Sequence, residues 1–337
     1  MSRTRWILLA GWTLFVIHAY PGLVSPAAIA ELTNARTRDF VAGVEPAAVT
    51  ALWAALDFVI AGPFGMIAAA SLCLLGGTYS LAKRSGVAET RAALLAACVL
   101  LFPPVLAGIS IASGFMLFAG FSVLGTALVA GECRWARAGG LALLSLAATM
   151  RFGGAIGTLP LVFAMPLGGV LVRRVVIALG LWAATVAISF GLGRVVTTES
   201  PGASIDASGA FTEALVRIPS PTSRDSQPAE ALRALDIQVG YGAVQGVTDA
   251  ITRGARVAMT PILWCVLAIA LLVWQRRDRR RSRSLVALLA SGVAVEMSQL
   301  YFASDGLYER SHWLVATVAI SGGIAIVRAL RREPETA

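Results

Sequence analysis

Apolar stretches of the length needed to cross a lipid bilayer recur along this chain and restrict its fold more than any other feature. About 20 apolar helical residues cross a bilayer, where every backbone polar group must be hydrogen-bonded internally. The stretch at 141–150 is the shortest, and it can extend back through Gly139 or belong to a broken hairpin. We predict an all-α polytopic membrane protein with ten spans, at residues 6–24, 61–82, 92–110, 115–130, 141–150, 155–172, 175–192, 259–275, 285–302 and 313–326.

Composition and charge agree with a membrane protein. Hydrophobic residues make up 57% of the 337 residues and charged residues 14%, with a mean hydropathy of +0.75. The net charge is +9, and eighteen of the 28 basic residues flank the apolar stretches on one side of the ten-span arrangement. This distribution follows the positive-inside rule and predicts cytoplasmic N- and C-termini. It argues against a phosphate-binding groove for nucleic acid.

The N-terminus and the cysteines allow simple interpretations. Arg3, Arg5 and the following apolar core resemble a signal peptide with a cleavage site at 28–30, but that site lies beyond the core. We expect an uncleaved first span. The four cysteines form no CxxC pair and no cluster with histidine, which predicts free thiols and no structural zinc.

Three parts follow from the predicted spans. Residues 1–192 form a module of seven spans with the first outer loop at 25–60, and residues 193–256 form a small helical cap on the outer face. Residues 257–337 add three spans and a short cytoplasmic tail. In the first outer loop, Ser25-Pro26 is typical of a helix start, and a short helix is predicted over 27–36.

A second helix, at 46–60, is predicted to lie along the membrane surface. Its apolar residues recur at helical spacing, whereas Thr50 and Asp57 fall off the stripe. The stripe consists of Val49, Leu52, Trp53, Leu56 and Val59.

Acidic and basic residues near the predicted outer face are candidates for chemistry. Glu31, Asp39 and Glu45 in the first outer loop are either solvated acids or a catalytic base. Arg151 follows a predicted span and can hold a phosphate with its planar guanidinium, or extend to the membrane interface. Glu296 is a carboxylate inside a predicted span, which favours a functional site, although a polar contact within the bundle is the alternative.

The last outer loop contains Tyr308, Arg310, His312 and Trp313. The aromatic residues suit an interfacial belt. Alternatively, the loop forms the wall of a site in which Arg310 holds an anionic lipid head group. The chain has no Walker loop, HExxH, GxSxG or dinucleotide fingerprint, which argues against chemistry with soluble cofactors.

Five segments of the chain together resemble bacterial membrane proteins of the GT-C glycosyltransferase superfamily. They are YPGLVSPAAIAELTNARTRDF, PAAVTALWAALDFVIAGPFGM, FPPVLAGIS, MRFGGAIGTLPL and SDGLYERSHWLVATV. Such proteins use polyprenyl-phosphate sugars. They carry an acid just after the Ser-Pro, where this chain has Ala27. An Asp-x-His-Pro-Pro-like element and a Trp-Lys-Asp-like element of the family are also replaced here, at 42–46 and 111–114.

The resemblance implies a protein of the bacterial inner membrane that transfers a sugar from a polyprenyl-phosphate donor to a cell-envelope glycan or lipid on the extracytoplasmic face. Glu31, Asp39 or Glu45 would replace the missing acid, and Arg151 and Arg310 would hold the phosphate, with Trp53 in a wall of the lipid entrance. No cofactor is expected with certainty, and a divalent metal is an alternative phosphate holder. Two other functions stay open: a catalytically degenerate relative that binds a lipid carrier or an assembly partner, and a secondary transporter that uses Glu296.

Overall fold

A computed structural model of the protein describes residues 2–22, 24, 26–38, 40, 46–151, 154–166, 171–196, 261–275, 283–302 and 308–330. Across these ranges the regular elements are helices, without a strand, which confirms the predicted all-α class. Asp39, Glu45 and nearly all of the predicted outer cap lie outside the described residues. The described helices are α1 (Arg3–Ala19), α2 (Pro26–Thr37), α3 (Ala47–Val59), α4 (Phe64–Arg84), α5 (Glu89–Leu100), α6 (Pro103–Ile109), α7 (Gly114–Val129), α8 (Arg134–Thr149), α9 (Gly154–Val162), α10 (Leu171–Val196), α11 (Pro261–Gln275), α12 (Arg283–Phe302) and α13 (Tyr308–Ala329).

Every predicted span overlaps a described helix, and α2 and α3 are the two helices predicted in the first outer loop. The clearest differences in extent are three. The stretch at 92–110 is two helices, α5 and α6, bent by 66°. Pro103 and Pro104 begin α6, and a residue before proline avoids helical dihedral angles. Helix α8 begins at Arg134 and is longer than the predicted span. Helix α9 has nine residues and contains Pro160, so it is shorter than the span predicted there.

Several helices have the length and apolar character of membrane crossings. Three described segments meet both criteria: Phe64–Arg84, Val172–Ser189 and His312–Ala329; the bent α5–α6 pair would add a fourth. Large apolar side chains also cover the outside of the bundle, where lipid would surround them. Examples on α1, α10 and α11 are Leu14, Ile17, Val172, Val176, Val266 and Val273. These features are those of a helical membrane protein.

Glycines allow the central helices to touch backbone to backbone. A Cβ atom at Gly77 of α4 would lie 2.6 Å from the Leu124 nitrogen of α7, and one at Gly120 would lie 2.5 Å from the Ala70 oxygen. Small residues at helix crossings stabilise packing where the hydrophobic effect between helices is weak. Because Ala70 meets Gly120 and Gly77 meets Leu124, α4 and α7 run in the same direction. The α5–α6 pair carries the chain back from the end of α4 to the start of α7.

Several helix ends lie together in this arrangement of the helices. Helix α6, the start of α7, the end of α8 and the start of α13 meet at what we call the α6 end of the bundle. Val105 of α6 contacts His312 of α13, and Phe118 of α7 contacts Trp313. The α4–α5 turn lies at the opposite end of α5 and α13 from His312.

Candidate functional site

A carboxylate is buried between α2 and α3. Glu31 is 4% exposed, and the fully buried hydroxyl of Thr50 donates a hydrogen bond to Glu31 Oε2 at 2.5 Å. Leu32 and Val49, the neighbours of these two residues in sequence, are also buried. A hydrogen bond to a charged group is worth about 1.5–3 kcal/mol, and losing it leaves a buried polar atom unsatisfied. The contact therefore fixes α2 against α3 and places an acid inside the protein.

A second polar contact joins the other ends of the same two helices. Arg36 donates hydrogen bonds to Asp57 at 3.0 Å and 3.2 Å, and the Gly62 N–H donates to Asp57 Oδ1 at 2.6 Å. Partial burial would raise the pKa of Asp57, but these hydrogen bonds and the Arg36 charge lower it below its ordinary value. Glu31 pairs with Thr50 and Arg36 with Asp57, so α2 and α3 run side by side in the same direction.

The buried face of α3 differs from the predicted stripe. Val49 and Trp53 of the stripe are buried, and the Trp53 indole donates a hydrogen bond to the Gly62 carbonyl at 3.4 Å. Thr50, predicted to fall off the stripe, is fully buried, whereas Val59, predicted on it, is 74% exposed. Thr50 is buried because α2 covers the early part of α3 and the Glu31 carboxylate supplies a partner for the Thr50 hydroxyl.

A buried guanidinium lies at the α6 end. Arg151 follows α8, is 6% exposed, and lies 4.7 Å from the Phe115 ring centroid and 5.5 Å from that of Phe118. A cation over an aromatic face gains about 0.5–2 kcal/mol, with the larger value for a desolvated pair. The two rings therefore cover the charged group of Arg151, for which phosphate binding and extension to the membrane interface were the two predictions.

Trp313 connects α13 to α7, α9 and α12. Its ring packs edge-on against Phe118 at 5.4 Å, and its indole N–H donates to the Ser291 hydroxyl at 2.9 Å. Ser291 in turn donates to the Gly157 carbonyl at 2.5 Å. Phe118 thus lies between Arg151 and Trp313, which couples the buried cation to the start of α13.

His312 lies inside the bundle, not on a loop surface. It is 1% exposed, its Nε2 lies 3.0 Å from the Val105 carbonyl, and its ring fills the position where Gly108 would carry a Cβ atom. Helix α13 already begins at Tyr308, so the predicted last outer loop is helical from there onward. The side chains of Tyr308 and Arg310 lie outside the described residues.

Glu296 is buried in α12, next to the contact between α12 and α9. Glu296 is 7% exposed. Its neighbour Val295 packs against Gly157 of α9, where a Cβ atom would lie 2.5 Å from Val295 Cγ2. Among the side chains that the structure describes, no three His, Cys, Asp or Glu groups come close enough to hold a metal ion. The four cysteines are free thiols, as predicted.

The structure thus groups four of the described candidates in two places, and Glu296 belongs to α12. Glu31 and Trp53 belong to the α2–α3 pair, while Arg151 and His312 share the α6 end through Phe118 and Trp313. Sequence reasoning missed the partners Thr50 and Ser291 and the two phenylalanine rings. The weak signal for Thr50 was a hydroxyl in a helix whose other residues, apart from Asp57, are apolar.

Comparison with known proteins adds no relative. No family model matches the chain, no curated protein is detectably similar to it, and no solved structure matches its fold.

Proposed function

We propose that this chain is a membrane glycosyltransferase that moves a sugar from a polyprenyl-phosphate donor to a cell-envelope acceptor, with Glu31 as the general base. The observation that carries the proposal is the position of the buried acid. Glu31 lies four residues after position 27 in α2, so the two positions share a helix face one turn apart. In GT-C proteins, which the first outer loop resembles, the acid follows the Ser-Pro, at a position close to Ala27.

We also propose that the chain crosses the membrane ten times and that both termini are cytoplasmic. Each of the ten apolar stretches overlaps a described helix, and eighteen of the 28 basic residues flank these stretches on one side of the arrangement. In that arrangement α2, α3 and the α6 end face the extracytoplasmic side. Glu31 and Arg151 would then lie on the same side of the membrane, where a lipid-linked donor presents its sugar.

The chemistry follows from the two charges. Glu31 would remove the proton from an acceptor hydroxyl as that oxygen attacks the anomeric carbon of the donor. The bond between the anomeric carbon and the phosphate oxygen breaks, and polyprenyl phosphate leaves with the electron pair. Arg151 would hold the departing phosphate with its two-pronged guanidinium. Thr50 would orient the Glu31 carboxylate through its hydrogen bond.

A second candidate is a protein that binds the lipid carrier without transferring the sugar. The burial of the Glu31 carboxylate favours it, since this side chain is 4% exposed. An acceptor could reach Glu31 only after α2 and α3 move apart. Binding alone would require no such movement.

The experiment is native mass spectrometry of the purified chain in mild detergent with a panel of polyprenyl-phosphate sugars. We expect the wild type to consume one donor, and Glu31→Gln to lower turnover at least about 100-fold while retaining the lipid, since a general base contributes roughly 10²–10⁴. Thr50→Val should lower turnover less, because the carboxylate stays but is less well oriented. Glu132→Gln, which changes an exposed acid between α7 and α8, is the matched control and should leave turnover unchanged.

Each outcome decides between the candidates. Full turnover by Glu31→Gln would remove Glu31 from the role of base. Retention of a lipid phosphate without consumption of any donor would favour the non-catalytic carrier. No retained lipid and no consumption would contradict both.

A further inference from the structure

A cavity of about 270 Å³ opens at the end of the bundle that holds the α4–α5 turn. Helix α4 ends there in a tight turn, in which the N–H of Val87 donates to the Ala82 carbonyl and that of Gly86 to the Lys83 carbonyl. Gly86 has φ +86°, a conformation that favours glycine, and nothing lies within 4 Å of the position of its missing Cβ atom. The turn therefore leaves one wall of the cavity open.

Two arginines from different helices line this cavity. Arg91 lies in the first turn of α5, and Arg328 lies in the last turn of α13. Val87 and Val327 supply apolar surface beside them. Two guanidinium groups over an apolar floor suit a ligand that combines an anionic head with an apolar part.

Helices α5 and α13 come into contact one turn further into the bundle. Arg91 precedes Leu95 by four residues and Val327 follows Gly323 by four, and a Cβ atom at Gly323 would lie 2.7 Å from Leu95 Cδ1. The cavity is thus the mouth of a groove between α5 and α13 that ends at this contact. Leu94, 48% exposed, continues the apolar surface outside the groove toward the middle of α5.

The surrounding charge also favours an anion. Lys83 and Arg84 end α4 beside the same turn. The acid Glu89 accepts a hydrogen bond from the Tyr79 hydroxyl at 2.9 Å and lies 3.9 Å from Lys83 Nζ. Glu89 is therefore already engaged by α4, and among the described residues that line the cavity the charged ones are Arg91 and Arg328.

We propose that the cavity between Arg91 and Arg328 binds a phosphate group, the chemistry shared by an anionic phospholipid head group and free phosphate. The planar guanidinium matches two phosphate oxygens, which a single ammonium group cannot do. A phospholipid would in addition place the start of its acyl chains against Val327 and Leu94. The site lies at the other end of α13 from His312, so it does not depend on the proposed glycosyl transfer.

The test measures lipid retention by native mass spectrometry of the full-length protein in dodecyl maltoside. The protein is titrated with dioleoyl phosphatidylglycerol, with dioleoyl phosphatidylcholine as the zwitterionic comparison, and then with inorganic phosphate as competitor. We expect Arg91→Gln and Arg328→Gln each to weaken phosphatidylglycerol binding about tenfold, the value for one charge-assisted hydrogen bond. The matched control is Arg3→Gln, which removes an exposed arginine of α1 that does not line the cavity.

The pattern of results identifies the source of the phosphate. Preference for phosphatidylglycerol that is lost in both cavity variants and kept in Arg3→Gln supports a lipid head group. Displacement of that lipid from the wild-type protein by millimolar inorganic phosphate supports free phosphate as an occupant. Equal binding of the two lipids, or equal weakening by Arg3→Gln, would overturn the proposal. Because Arg91 and Arg328 are remote from Glu31, sugar-donor turnover reports the proposed function separately.

Discussion

The Arg151 side chain is buried although it carries a charge. Its guanidinium lies against Phe115 and Phe118, so part of its role is to fill the α6 end of the bundle. An alanine substitution would remove the charge and the volume together. A useful variant must therefore separate the two properties.

Arg151→Met makes that separation, because methionine keeps an unbranched side chain against the two rings but carries no charge. If Arg151 holds a lipid phosphate, this variant should lose retention of polyprenyl phosphate in native mass spectrometry while its melting temperature stays within a few degrees of the wild type. Phe115→Leu is the matched control, since it loosens the packing and keeps the cation. It should retain the lipid. Unchanged retention by Arg151→Met would remove Arg151 from phosphate binding.

At the scale of elements, two polar contacts hold α2 against α3. The Glu31–Thr50 hydrogen bond is buried, whereas the Arg36–Asp57 pair is only partly covered, with side chains 32% and 15% exposed. An exposed ion pair contributes at most about 1 kcal/mol. The buried contact therefore sets the position of the helices, and the ion pair adds a contribution that depends on pH.

The sign of that pH dependence follows from the lowered pKa of Asp57. An acid whose pKa is lower in the folded state binds more protons when unfolded, so its contribution is complete above the unfolded pKa, near 4. The contribution is lost as pH falls through the lower folded pKa. We expect Asp57→Asn to melt below the wild type at pH 7 and the difference to close as the pH is lowered under 4.

Thermal melting of both proteins at pH 7, 5 and 3 measures this difference. Glu132→Gln, which changes an acid outside the α2–α3 pair, controls for the loss of one negative charge. It should show no pH-dependent gap. A gap for Asp57→Asn that persists or widens at pH 3 would contradict the assignment of the effect to the Arg36–Asp57 pair.

The sequence was sufficient for the helices but not for the contacts between them. Apolar stretches and helix-start signals depend on neighbouring residues, so α2, α3 and the helices of the apolar stretches could be predicted. The Glu31–Thr50 contact depends on how two helices lie against each other, 19 residues apart in sequence. The same limit applies to the burial of Thr50, which depends on the position of α2. The rings that cover Arg151 come from α7, more than 30 residues earlier.

At the scale of the whole molecule, the short helix α9 decides the topology. Cys133 precedes α8, and Ser208, outside the described residues, belongs to the segment after α10 that we predict to be extracytoplasmic. If α8, the α9 stretch and α10 each cross the membrane, three crossings separate the two positions and they lie on opposite sides. If the α9 stretch enters and returns, two crossings separate them and they lie on the same side.

Cys133 is a suitable native probe for this question. It is exposed, and the backbone N–H groups of Ala136 and Trp135 lower the pKa of its thiol, which increases the reactive thiolate. A membrane-impermeant maleimide should label Cys133 in inside-out vesicles only. In the Cys133→Ser background, Ser208→Cys should be labelled in right-side-out vesicles only. Labelling of both positions from one side would show that the α9 stretch does not cross the membrane, so the number of spans would be smaller than ten. Labelling of Cys133 from outside would show that the predicted orientation is reversed.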